Sequence, residues 1–151
     1  MNQFMELALK EARKGMLQGK GGPFGAVVVK DNKVVGTASN QVLSNNDPTA
    51  HAEIVAIRIA CGKLQTHDLS GCVIYATGEP CPMCMAAIIW ANIKEIYYGA
   101  AASEAEGIGF RDVAIYGHLK GEKNVLRMEQ IPTEAVSKLY LEYKDLNKTI
   151  Y

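Results

Sequence analysis

Four residues of this 151-residue chain have the types and spacing to do chemistry: His51, Glu53, Cys81 and Cys84. The first two lie in Asp47-Pro48-Thr49-Ala50-His51-Ala52-Glu53, the cysteines in Glu79-Pro80-Cys81-Pro82-Met83-Cys84. Cys81 and Cys84 are three apart where a helix should begin, so both side chains fall on one face. The positive end of that helix favours the thiolate form that binds metal. One His and two Cys supply three ligands for Zn2+ and leave a fourth tetrahedral position for water, the arrangement of a catalytic rather than a structural site. Such a metal brings the pKa of water down from near 16 toward about 7. Glu53, two residues from His51, could take the water's proton and hand it to a substrate atom.

A lone Cys-x-x-Cys also serves structural zinc and redox chemistry. A structural site wants a fourth Cys or His at close spacing. His67 and His118 are far along the chain, and Cys61 and Cys72 sit in apolar elements where they read as buried thiols. A redox pair leaves His51-Ala52-Glu53 unexplained. Catalytic zinc accounts for all four residues.

The elements that must position them follow from periodicity. Phe4, Leu7, Ala8, Ala12 and Met16 repeat at helical spacing over about 2–18, and Gly19-Lys20-Gly21-Gly22-Pro23 breaks that helix. No Gly-Lys-Ser/Thr follows, so the glycines read as a turn rather than a phosphate cradle. Residues 26–30 and 33–39 are β-branched runs around Asp31-Asn32, a hairpin signal. Residues 40–48 are loop-like. Asp47 or Thr49 could cap the next helix with Pro48 in its first turn, and Gly62 would end it after Cys61. Residues 72–77 suit a buried strand, 82–90 a short helix and 94–100 another strand, which together imply a right-handed parallel crossover. Residues 101–111 are irregular and leave the carboxyl end of that last strand, where ligands bind in open α/β sheets. A short helix over 110–118, a last strand over 125–131 and a helix from Thr133, with Val136, Leu139, Tyr140 and Tyr143 on one stripe, complete the chain.

Composition bounds the function. Hydrophobic residues make up 48% and charged residues 21%, ordinary for a globular protein with a real core. The formal net charge is zero, with no Lys/Arg-rich run to mark a nucleic-acid partner. The apolar runs are too short for a membrane span. The amphipathic start is unlike a secretory signal, so a cytoplasmic protein is expected, with its four cysteines reduced. No repeat or linker divides the chain, and residues 1–151 read as one zinc-dependent domain.

Thr49-Ala50-His51-Ala52-Glu53, a gap of 25 residues and Glu79-Pro80-Cys81-Pro82-Met83-Cys84 together resemble the cytidine/deoxycytidylate deaminase superfamily. The resemblance runs from Pro23-Phe24-Gly25-Ala26 to about Asp112. It implies a three-layer α/β/α sandwich around a five-stranded mixed sheet, a homodimer or larger assembly, and hydrolytic deamination of a base, nucleoside or nucleotide. Bacterial tRNA adenosine deaminases and small bacterial guanine deaminases both share the motifs; fungal-type cytosine deaminases are more distant.

The loop Glu106-Gly107-Ile108-Gly109-Phe110-Arg111-Asp112 resembles that of the guanine deaminases, with Asp112 on its second acidic position. Phe24, the Ile88-Ile89-Trp90-Ala91 stretch and the charge-balanced tail ending in Tyr151 point the same way. Gly78 and Arg111 depart from that branch, which often has Cys and Asp there. Arg111 would face solvent or alter the choice among purine-like bases. By resemblance, Asp112 joins Glu53 in catalysis, and Asn40 and the backbone of Ala52 contact the base. Phe24 and Trp90 line the pocket or simply pack in the core. Tyr151 covers a site, its own or a neighbouring subunit's. The implied substrate is a free nucleobase, guanine foremost, with no nucleic-acid partner.

Overall fold

A computed structural model describes all 151 residues. Four strands form one sheet in the order β2-β1-β3-β4: β1 (Gly25–Lys30), β2 (Lys33–Ser39), β3 (Cys72–Gly78) and β4 (Glu95–Ala100). Strand β1 pairs antiparallel with β2 and β3, and β3 pairs parallel with β4. The β1–β2 hairpin closes on Asp31 and Asn32, both at positive φ (49° and 60°), a conformation that short polar side chains tolerate.

Helices cover both faces. Helix α1 (Gln3–Leu17), capped by the Asn2 side chain, buries Ala8 against Val27 and Val29, with Phe4 and Tyr75 beside them. On the other face α3 (Ala52–Leu64) lays Ala52, Ala56 and Ala60 over Val28 and Ile74, and α4 (Pro82–Trp90) adds Ile88. Three alanines one turn apart let α3 approach the sheet closely. The result is a three-layer α/β/α sandwich.

The structure departs from the sequence reading in several places. The expected fifth strand over 125–131 is absent, and residues 119–151 are all exposed. Helix α7 (Glu134–Asp145) forms, yet it buries no residue, so its Val136, Leu139, Tyr140 and Tyr143 stripe is open. The outer edge of β4 is therefore unpaired, with Tyr97 and Tyr98 half exposed. Two short helices arise where loops were expected: α2 (Val42–Asn45) and α5 (Ala102–Gly107). Helix α3 starts at His51 rather than at Asp47 or Thr49. The Asp47 carboxylate accepts from the Thr49 N–H (2.8 Å) and hydroxyl (2.7 Å), which makes a local turn and leaves Pro48 outside the helix. The helix then runs through Gly62 to Leu64 and stops at Gln65, in the left-handed conformation at φ 54°. Helix α6 (Asp112–Leu119) opens on Asp112, close to its expected start.

Candidate active site

The site lies at the carboxyl ends of β3 and β4. Because β1 is antiparallel to β3, its first residues and the last of β2 reach the same end. The Asn40 N–H donates to the Phe24 carbonyl (2.9 Å), and the Gly25 N–H to the Thr77 hydroxyl (3.0 Å). His51 and Cys81 each stand immediately before the first turn of a helix, α3 and α4, in extended backbone, and neither side chain makes the usual capping hydrogen bond. Both face the other helix start instead.

His51 Nδ1 is 3.5 Å from Cys81 Sγ and 3.5 Å from Cys84 Sγ. Their ligand atoms lie within 4.8 Å of one another, the group of His, Cys, Asp or Glu that could hold a metal. Tetrahedral zinc, with Zn–S near 2.3 Å and Zn–N near 2.05 Å, sets its nitrogen and sulfur ligands roughly 3.6 Å apart, so the spacing fits Zn2+. The chemistry of the donors fits as well. The two thiols share a proton, which depresses Cys81 to about 4 and raises Cys84. Cys81 is thus the more acidic of the two thiols, and its hydrogen bond draws His51 upward. The remaining thiols stand apart: Cys72 is buried, Cys61 half-buried, and all four cysteines are free. His67 is exposed, and His118 Nδ1 accepts from the Val125 N–H (3.2 Å).

A cavity of about 410 Å³ opens beside these ligands. Its walls include Phe24, Asn40, His51, Glu53, Cys81 and Asp112. Glu53 is 7% exposed, and that burial pushes its carboxyl up to about 7, near the pH at which it would both accept and donate a proton. Desolvation, with the Cys81 charge second, also raises Asp112. Asn40 is buried, and its Oδ1 accepts from the Val42 N–H (3.1 Å), which fixes the amide plane. Ala52 is fully buried between His51 and Glu53. Arg111 lines the cavity as well and makes no ion pair within the chain.

Two sequence candidates lie elsewhere. Trp90, at the end of α4, is 64% exposed and lines no part of this cavity; its ring is 6.0 Å from that of Tyr151, which also neighbours His67. Conversely, Phe110 enters the cavity wall and meets Phe24 edge-on at 4.8 Å, a favoured aromatic geometry. Phe110 is the one aromatic residue of a Gly/Glu-rich loop, which was the available signal for it. Glu79 also lines the cavity, and its Oε2 accepts from the Ala102 N–H (2.9 Å).

The fold and this site define a zinc-dependent aminohydrolase. Residues 1–100 match the cytidine and deoxycytidylate deaminase zinc-binding region, and the chain belongs to that family, with Zn2+ as its cofactor. Among its relatives, the guanine deaminase of Bacillus subtilis (strain 168) is 47% identical over 113 residues, which span 75% of this chain and 72% of that protein. The crystal structure of Bacillus subtilis guanine deaminase superposes with a TM-score of 0.93 at 38% identity, covering 100% of this chain and 99% of that one. The tRNA-specific adenosine deaminase of Aquifex aeolicus (strain VF5) is 34% identical over 142 residues, 93% of this chain and 91% of that protein. A solved tRNA:A34 deaminase structure gives a TM-score of 0.63 at 49% identity, over 65% of this chain and 70% of that one.

Proposed function

We propose that the protein hydrolyses guanine to xanthine and ammonia. The observation that carries this reading is the end-to-end structural likeness to a guanine deaminase, with a TM-score of 0.93 over the whole chain, where the tRNA:A34 deaminase structure gives 0.63 over 65% of it. Asp112 adds to it: a second carboxyl over the cavity suits a base whose amino group must be protonated to leave.

In this reading His51, Cys81 and Cys84 are the zinc ligands, and Zn2+ supplies the Lewis acidity that makes water a nucleophile near neutral pH. Asn40 and the backbone of Ala52 hydrogen-bond the base. Phe24 and Phe110 pack on it and keep bulk water out. Glu53 takes a proton from the attacking water and delivers it to the ring nitrogen beside the amino-bearing carbon, which makes that carbon electrophilic. The C–O bond forms there, and the C–N bond to the amino group breaks. Glu53, a carboxylate again, then takes the remaining proton from the newly attached hydroxyl and, helped by Asp112, passes it to the departing amine, so that the carbonyl forms as ammonia leaves. N–H groups at the starts of α3 and α4 stabilise the charge that develops on oxygen.

The working unit in this reading is a cytoplasmic homodimer. The unpaired edge of β4 and the exposed apolar stripe of α7 are complementary needs within one chain sequence, and a second copy meets both. Tyr151 lies off the cavity of its own chain, which fits a tail that serves a neighbouring site. No helix is long and apolar enough to cross a membrane.

The test is ammonia release from guanine, cytosine, adenine, guanosine and an adenosine-bearing tRNA arm. Guanine should dominate. Turnover of the tRNA arm alone would replace this reading with adenosine-to-inosine editing, the alternative that the Aquifex aeolicus relative supports.

A further inference from the structure

Residues 102–116 form a strap. They leave the end of β4 as α5, turn in a glycine-rich tip that reaches the cavity at Phe110 and Arg111, and return in α6. The tip turns at Gly109, whose φ of 103° suits glycine. The strap places Phe110, Arg111 and Asp112 in the cavity wall, yet its residues are mostly exposed and only Ala105 is buried before Asp112. Burial alone does not hold it.

Two hydrogen bonds tie down its ends. At the start, the Ala102 N–H donates to Glu79 Oε2 (2.9 Å). At the finish, the Tyr116 hydroxyl donates to the Pro80 carbonyl (2.7 Å). The two acceptor residues are consecutive, and the next residue is Cys81. This turn is itself rigid: Pro80 is fully buried, and the Glu79 N–H donates to the Ala100 carbonyl (2.7 Å). Tyr116 sits four residues after Asp112 in α6, on the same helix face. A bond at Tyr116 therefore sets the rotation and height of Asp112. Tyr116 itself lines no part of the cavity.

We propose that Tyr116, with Glu79 at the other end, is a positioning residue that pins the strap to the Cys81 turn and so fixes Asp112 over the cavity. The proposal rests on the deaminase reading above for its kinetic arm and on geometry alone for its structural arm.

The experiment uses zinc-loaded, full-length protein and the variant Tyr116→Phe, which removes only the hydroxyl. Amide hydrogen exchange over 102–116 should rise about tenfold, the effect of one lost hydrogen bond on a local opening, while the rest of the chain is unchanged. Guanine kcat should fall about tenfold, with zinc content retained and the unfolding midpoint lowered by no more than the loss of one hydrogen bond. In an Asp112→Asn background the same change should cost nothing further, because the two residues act as a unit. Unchanged exchange in the strap, a uniform rise along the chain, or an equal kcat loss in both backgrounds would overturn the proposal. Should Tyr116→Phe fail to fold, Glu79→Gln and Glu79→Ala decide it. Gln keeps an acceptor for the Ala102 N–H and should hold the strap; Ala should release it, and identical behaviour would count against the idea. A wild type without guanine turnover would sink the substrate assignment, and the exchange measurement would still decide the strap.

Discussion

Gly21 lies against the side chain of Asn40 so closely that a Cβ there would overlap Asn40 Oδ1 and sit 2.9 Å from both its Cγ and its backbone carbonyl oxygen. The glycine cluster after α1 thus does more than end a helix. It leaves room for the buried amide that faces the cavity.

Gly21→Ala should therefore act on substrate binding. Asn40 must rotate or shift, and one misaligned hydrogen bond to a neutral base costs about 1 kcal/mol. The expected result is a guanine KM raised roughly five- to tenfold with a smaller change in kcat. Steady-state kinetics check this. A pure kcat effect would move Asn40 from binding to chemistry.

Glu53→Gln preserves the shape of a buried side chain and removes its proton chemistry. Zinc content should stay at one per chain, while ammonia release falls by about a thousandfold or more, the range for losing a general acid–base. Metal analysis and initial rates on the same sample separate the two effects. Near-normal turnover would remove Glu53 from the mechanism.

The Glu53 carboxyl also predicts a pH signature in metal-stripped protein. Burial raises it from 4.5 to about 7, so between those values the native state holds a proton that the unfolded state has released. Its contribution to stability is full below 4.5 and is lost as pH rises through about 7. Relative to Glu53→Gln, the wild type should lose on the order of 3 kcal/mol between about pH 5 and about pH 8. Urea unfolding of both proteins at each pH measures the difference. Cys81 titrates in the opposite direction and interacts with Glu53, so the difference between the two proteins reports Glu53 together with its influence on the neighbouring thiols.

Truncation after Lys120 removes the arm whose residues are all exposed in a single chain. The body keeps its buried clusters, so it should remain folded. It should sediment as a monomer, whereas the full chain should sediment as a dimer. A full chain that is monomeric at micromolar concentration would refute the proposed assembly.

Much of the site was legible in the sequence because its residues are local. His51 with Glu53, and Cys81 with Cys84, are close in the chain, and each set opens a helix. The hairpin at Asp31-Asn32 and the β3-α4-β4 crossover were legible for the same reason. What sequence reasoning missed depends on distant or competing contacts. Asp47 and Thr49 have the right side chains for a helix cap, but they satisfy each other first. Gly62 does not stop α3, since a helix ends where its backbone turns, and that happens at Gln65. Phe110 gains its place only by meeting Phe24 across the cavity. Residues 125–131 have strand-forming side chains but pair with no strand, and propensity cannot supply a partner.

His51 and Cys81 occupy the cap positions of α3 and α4, and neither gives its helix a capping bond. A residue in that place ordinarily satisfies one of the helix's free N–H groups and stabilises it by about 1 kcal/mol. Here both helices surrender that local reinforcement, and their first turns are held instead by a shared ligand set. Chelation should then fray two helix ends at once. The protein's catalytic competence and the order of its α3–α4 layer would rise and fall along a single metal-binding curve, so a circular-dichroism titration with zinc could report on the active site without any substrate.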